Sequence, residues 1–165
     1  MPADSPPHRS LAWTVERQAD PLTVALAGDL DENAGLYDLQ PTLTGRVVLD
    51  LGGVRRINSA GVREWVNFIR DVEQTTTHLA LARCSPAIVM QMNMIANFRG
   101  SAEVLSFYAP LVCPACEREE DGLVEATPEV LVGLPHRLPT FACPECRTPL
   151  ELDDIPERYF AFLKR

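Results

Sequence analysis

The stretch from Val47 to Glu73, VVLDLGGVRRINSAGVREWVNFIRDVE, admits few folds. It opens with Val47-Val48-Leu49 and Leu51, a short β-branched apolar run closed by Gly52-Gly53, which is the pattern of a strand buried on both faces. A helix must follow, because Val62, Trp65, Val66, Ile69 and Val72 recur at i, i+3, i+4, i+7 and i+10 on one apolar stripe. Strand, tight loop and helix in this order are the building unit of α/β domains.

Ser59 stands at the start of that helix. A serine before a periodic apolar run is a preferred N-cap, worth about 1 kcal/mol, and Gly61 lets the backbone come in tightly. The same hydroxyl, held at a sheet edge, is equally placed for modification. A phosphate there adds about −1.5 to −2 charges where a partner must pack. Cap and switch are both open on residue pattern alone. Arg55, Arg56, Arg63 and Arg70 flank the serine. They read either as a solvated face or, for Arg56 and Arg63, as holders of a phosphate or of an acidic partner.

The flanking chain repeats the alternation. Leu11 to Gln18 and Leu22 to Gly28 read as strands on either side of Asp20-Pro21, and His78 to Ala82 as a fourth. Pro86 to Phe98 reads as a helix with Ser85 as its N-cap, Pro86 at its first position and Gly100 past its end. Ile88, Met92 and Ile95 form one stripe on it. Met90, Met94 and Phe98 form a second, so the helix is either buried all round or offers a methionine-rich docking face. Val104 to Tyr108 reads as a last strand.

Two motifs resemble those of a known family. Leu26-Ala27-Gly28-Asp29-Leu30-Asp31 is similar to the end of the second strand of STAS domains. Asp50-Leu51-Gly52-Gly53-Val54-Arg55-Arg56-Ile57-Asn58-Ser59-Ala60-Gly61-Val62 is similar to their Asp-Leu-x-x-Val-x-x-apolar-Asp-Ser-(Ser/Thr)-Gly-Leu pattern. The chain thus resembles the bacterial anti-sigma factor antagonists from Leu11 to Pro110. The resemblance implies a STAS-like mixed β-sheet packed with helices, and a partner kinase that phosphorylates the serine after the aspartate, here Ser59. Together with the charge pattern around Ser59, it makes Asp31, Arg56, Asn58, Ser59 and Arg63 the partner-binding candidates. Asn58 replaces the pattern's aspartate and Ala60 its second hydroxyl residue, which removes a charge next to Ser59. The segment between Asp31 and Val47 is short for the family and leaves a first helix of little more than Asn33 to Leu39.

The other informative constellation is Cys113-Pro114-Ala115-Cys116 with Cys143-Pro144-Glu145-Cys146. Two such pairs close a four-sulfur tetrahedral site, and the turns resemble zinc-ribbon knuckles. Glu117 and Arg147 stand where a knuckle often has glycine. A closed site implies structural Zn2+ with ligands Cys113, Cys116, Cys143 and Cys146, supplying on the order of 10 kcal/mol to a module with little core. A redox dithiol pair and a rubredoxin-like iron site are the rivals. Prolines and acidic residues around both pairs are unlike the strand-to-helix setting of a redox Cys-x-x-Cys. Cys84 reads as a small core residue and His136 as a loop residue.

Within this module Glu119-Glu120-Asp121-Gly122 reads as a solvated turn, Val130-Leu131-Val132 as a strand, and Leu150 and Leu152 as closing residues. Pro156 opens a last helix whose stripe is Ile155, Tyr159, Phe162 and Leu163. It must cover either the rest of the chain or a partner.

The expected organisation is therefore a disordered lead over 1–10, a STAS-like domain over 11–110, a zinc-ribbon-like module over 111–152 and a C-terminal helix over 153–165. Nine basic against twelve acidic residues precede Cys113, and six against eleven follow from it onward, so both parts are acidic and nucleic acid is not an expected partner. No stretch approaches the ~20 apolar residues of a membrane span, and MPADSPPHRS has no apolar signal core. The expected compartment is the cytoplasm. No catalytic triad, phosphate-loop or dinucleotide pattern is present, so the expectation is a non-enzymatic interaction module whose partner is a regulatory protein, such as a serine kinase of anti-sigma type. A constitutive scaffold without phosphorylation is the alternative, favoured by Asn58.

Overall fold

The computed structural model describes residues 9–164. The expected disordered lead lies outside the described residues as far as residue 8. Arg9 and Ser10 are anchored: Arg9 pairs with Asp38 and its guanidinium sits 4.7 Å over the Trp13 ring, and the Ser10 hydroxyl donates to Asp31.

The first layer is a five-stranded mixed sheet in the order β1-β2-β3-β4-β5. It contains β1 (Leu11–Glu16), β2 (Leu22–Leu30), β3 (Gly45–Ile57), β4 (Thr76–Ala82) and β5 (Glu103–Val104). Only β1 is antiparallel to its neighbour; β2 to β5 run parallel. The helices are α1 (Leu36–Leu39, extended by a 3-10 turn Gln40–Thr42), α2 (Ser59–Glu73) and α3 (Pro86–Met94). The first helix thus starts later than Asn33, because Gly35 enters it at a positive φ of 68°.

The glycine pair does not end β3, which continues six residues past Leu51 to Ile57. Register with β2 shifts between Ala25↔Asp50 and Ala27↔Gly53, so Gly52-Gly53 form a bulge that keeps the strand going and returns Val54 to the buried face of Val47, Leu49 and Leu51. Glycine is needed at 53: a Cβ there would lie 2.7 Å from that of Ala27. Val48 and Asp50 on the other face are half-buried, not sealed as the apolar run implies.

On α2 the buried face is Gly61, Trp65, Phe68, Ile69 and Val72. Val62 and Val66 are half-buried, and Phe68 takes the place the stripe assigned to them because its ring packs 5.5 Å from Trp65. The Trp65 indole N–H donates to the Phe98 carbonyl at 2.8 Å, tying α2 to the chain after α3. Helix α3 begins as expected, with the Ser85 hydroxyl accepting from the Ile88 N–H, but it stops at Met94. Ile88, Val89 and Met92 are buried, whereas Met90 and Met94 are 58% and 67% exposed. Phe98 does not share their stripe and is buried beyond the helix.

The expected last strand divides between two sheets. β5 closes the first, while β6 (Ser106–Val112) is the centre of a three-stranded antiparallel sheet β7-β6-β8 with β7 (Glu119–Glu125) and β8 (Glu151–Leu152). β6 also bridges back in parallel through Cys84↔Phe107. The acidic run Glu119 to Gly122, read as a turn, lies in β7: alternate residues Gly122 and Val124 are buried while their neighbours face out. Val130 to Val132, read as a strand, lie in α4 (Pro128–Gly133), which Thr127 caps by accepting from the Val130 N–H. Last comes α5 (Pro156–Tyr159), continued by a 3-10 turn Phe160–Lys164. Its Tyr159, Phe160 and Phe162 are buried in the same chain, and Ile155, expected on the stripe, is 55% exposed. Among the described residues, no helix is long and apolar enough to cross a membrane.

Candidate docking groove and metal centre

Two loops of the same shape carry the cysteines. In the first, the Cys113 N–H donates to the Arg118 carbonyl (2.8 Å) and the Glu117 N–H to the Cys113 carbonyl (2.9 Å). In the second, Cys143 and Thr148, then Arg147 and Cys143, make the same bonds at 2.9 and 3.0 Å. Glu117 and Arg147 take φ of 59° and 62°, so both turns adopt the left-handed conformation that glycine usually supplies, without glycine. Arg118 spans the loops, donating to Glu145 at 3.0 Å.

The loops bring Cys113, Cys116, Cys143 and Cys146 together with all four sulfurs within 4.8 Å of one another. Sγ separations are 3.4 Å for Cys113 and Cys146, 3.6 Å for Cys116 and Cys143, and 3.9 Å for Cys116 and Cys146. A tetrahedron with metal–sulfur bonds of about 2.3 Å has edges of about 3.8 Å, so the donor set fits a four-thiolate metal site. The thiols pull one another in opposite directions: against the lowering by the Arg118 backbone, hydrogen bonds with Cys113, Cys143 and Cys146 push Cys116 up to about 12. Hydrogen bonding with the Thr148 side chain and backbone, and with Cys113 and Cys143, draws Cys146 down to about 6. Cys84 lies apart, buried beside β6, and loss of solvent raises its thiol to about 12. His136 is exposed and lies 3.9 Å from Glu157, away from the sulfur cluster.

The second site lies at the carboxyl ends of the parallel strands, where open α/β sheets present their ligand crevices. An open groove of about 470 Å³ is lined by Asp29 to Asp31 from β2 and its exit, Arg55 to Asn58 from β3 and its exit, and Ala87, Met90 and Gln91 from α3. Gly61 draws α2 against its edge; a Cβ at that position would lie 1.9 Å from the Leu30 carbonyl oxygen. The same carbonyl accepts from the Asn58 N–H at 3.1 Å.

The helix cap differs from the expectation for Ser59. Asn58 is the N-cap: its Oδ1 accepts from the Gly61 N–H at 2.8 Å, and its Nδ2 donates to Glu32 at 3.0 Å. Ser59 is the first helical residue, exposed, and its hydroxyl has no hydrogen-bond partner among the described residues. The amide of Asn58, with a bond to its own backbone, holds the Glu32 carboxyl below its ordinary range.

Of the five partner-binding candidates, Asp31, Arg56 and Asn58 line the groove, Ser59 follows directly, and Arg63 lies exposed one turn further along α2. Asp31 is committed to the loop, since its Oδ1 accepts from the Ser10 hydroxyl and the Asn33 N–H. Arg55 faces Asp29 at 3.6 Å. Arg56 and Arg63 are exposed and have no ion-pair partner among the described residues. Glu32, Ala87 and Gln91 were not singled out by the sequence reading. Glu32 carried no signal, because only the fold brings it to Asn58, and α3 showed its methionines but not which wall they form.

No model of a known protein family matches this chain, nor does any characterised protein compared with it.

Proposed function

We propose that the chain is a regulatory interaction module that docks a partner protein in the groove beside Ser59 and carries a structural zinc ion on its four cysteines. The observation that supports this most is the division of labour at the start of α2. Asn58 supplies the cap, so Ser59 is free of any structural duty and stands exposed at the rim of a groove whose lining mixes apolar Leu30, Ile57 and Ala87 with the charges of Asp29, Asp31, Arg55 and Arg56. This agrees with the resemblance to anti-sigma factor antagonists, in which the equivalent serine is the phosphate acceptor. It also gives Asn58 a reason to stand where that pattern has aspartate, since either residue caps a helix.

A phosphate on Ser59 would sit at a helix N-terminus, where negative charge is tolerated, so the fold would survive it. The partner would not fare equally well: it would have to cover two added charges close to Glu32 and Asp31. Co-expression with serine kinases of anti-sigma type, followed by intact mass and peptide mapping, tests the reading. One phosphate on Ser59 is expected. A stable complex without phosphate would favour the constitutive scaffold, which the joining of both sheets through β6 also supports.

Zinc is the ion that four thiolates in two tight loops suit best, and with no open coordination position its role is structural. Metal analysis of protein purified under reducing conditions should give one zinc per chain; reversible dithiol oxidation without bound metal would replace this reading with a redox one.

A further inference from the structure

We infer that metal occupancy at the four cysteines controls the docking groove, because the helix that forms one groove wall is seated on the segment that the second cysteine loop anchors. This rests on the zinc and docking readings above.

The route can be followed residue by residue. α3 supplies Ala87, Met90 and Gln91 to the groove. Its seat has two parts. One is β6, bonded to the turn before α3: the Arg83 N–H donates to the Ser106 hydroxyl at 2.8 Å, Cys84 N–H to the Ser106 carbonyl at 3.1 Å, and Tyr108 N–H to the Cys84 carbonyl at 2.9 Å. The other is the C-terminal segment. Asn93 on α3 donates to the Tyr159 carbonyl at 2.9 Å, and the Tyr159 hydroxyl donates to the Tyr108 carbonyl. Phe160 and Phe162 both meet Phe107 edge-on, at 5.9 and 5.1 Å between ring centres.

Between Cys143 and Ile155, ahead of α5, the chain has little regular structure to anchor it. Two residues, Glu151 and Leu152, pair with β6, and one bridge joins Ala142 to Pro149. The sulfur cluster, together with the pair of Arg118 and Glu145, ties the second loop to the end of β6 at Cys113. Withdrawing the metal leaves the thiols free to separate, which loosens the chain leading to Tyr159 and removes part of the seat of α3. The strands β1 to β3 and helix α2 share the hydrophobic core with Phe107 and Tyr159, but none of the hydrogen bonds along this route involves them.

The test is hydrogen exchange on the full-length chain, zinc-loaded and after removal of metal by EDTA under reducing conditions, with zinc counted in the same samples. Amides of residues 86–94 should exchange at least about tenfold faster once zinc is lost, while β1 to β3 and α2 keep their rates. Unchanged rates in α3 after verified zinc loss overturn the coupling and leave the structural zinc standing. Equal acceleration across β1 to β3 overturns it as well, because that is global destabilisation. A chain that holds no zinc in any preparation overturns both the coupling and its premise, and the metal count tells these cases apart. Tyr159→Phe supplies a second arm: the zinc-loaded variant should keep its metal yet show faster exchange in α3, and unchanged exchange there overturns the Tyr159 route.

Discussion

Asn58 is the residue on which the groove turns, since its one side chain caps α2 and holds Glu32. Asn58→Ala should cost about 1 kcal/mol in urea unfolding, whereas Ser59→Ala should stay within about 0.5 kcal/mol of wild type. Equal losses would return the cap to Ser59. The pair with Glu32 also has a pH signature. Because Glu32 titrates below its ordinary value of 4.5, the pair's stabilisation is present above that value and is lost as pH falls through the folded pKa. Asn58→Asp should keep the bond to the Gly61 N–H but set two carboxylates against each other. Unfolding curves should show it less stable than wild type at pH 7 and closer to wild type at acid pH, as either carboxylate gains a proton. Gly61 is constrained from another side. With the Leu30 carbonyl 1.9 Å from where a Cβ would stand, Gly61→Ala must push α2 outward, and a loss of about 1–3 kcal/mol is expected in thermal or urea unfolding.

Among the elements, those with strong local signals read well from sequence. α2 has a long apolar stripe, Ser85-Pro86 marks the start of α3, and the cysteine spacing announces its own convergence. The misreadings arise where tertiary contact decides. Gly52-Gly53 looks like a stop but serves as a bulge, because the neighbouring β2 holds the strand on both sides of it. Glu119 to Gly122 looks like a turn because it is acidic, yet Gly122 is there for the close approach of Leu111 and Phe141, within 2.6 and 2.9 Å of a virtual Cβ. For α4 a signal was present: Thr127-Pro128-Glu129 is a helix start, and the β-branched Val130 and Val132 obscured it. The groove itself was legible on its β2 and β3 side, through Asp31, Arg56 and Asn58. The α3 wall depends on which side of that helix faces β6, and helix periodicity with apolar residues all round does not encode this.

At the level of the whole molecule, β6 makes one body of two sheets. Arg83 reinforces the joint, donating to Asp50 and Tyr108 at 3.1 Å each. A metal on the four cysteines would act on this body through proton balance too. Thiols must lose their protons to bind zinc, so zinc should be released as pH falls, and a chromophoric chelator should record the release. Zinc retention independent of acid pH would contradict thiolate ligation. The remaining question is whether the groove beside Ser59 is where a partner binds. The most direct measurement is the affinity of a co-purifying kinase partner for wild type, Ser59→Ala and Ser59→Glu, each verified as folded and zinc-loaded. The account predicts that Ser59→Ala binds as wild type and that Ser59→Glu binds roughly tenfold or more weakly. Equal affinity for all three would contradict it.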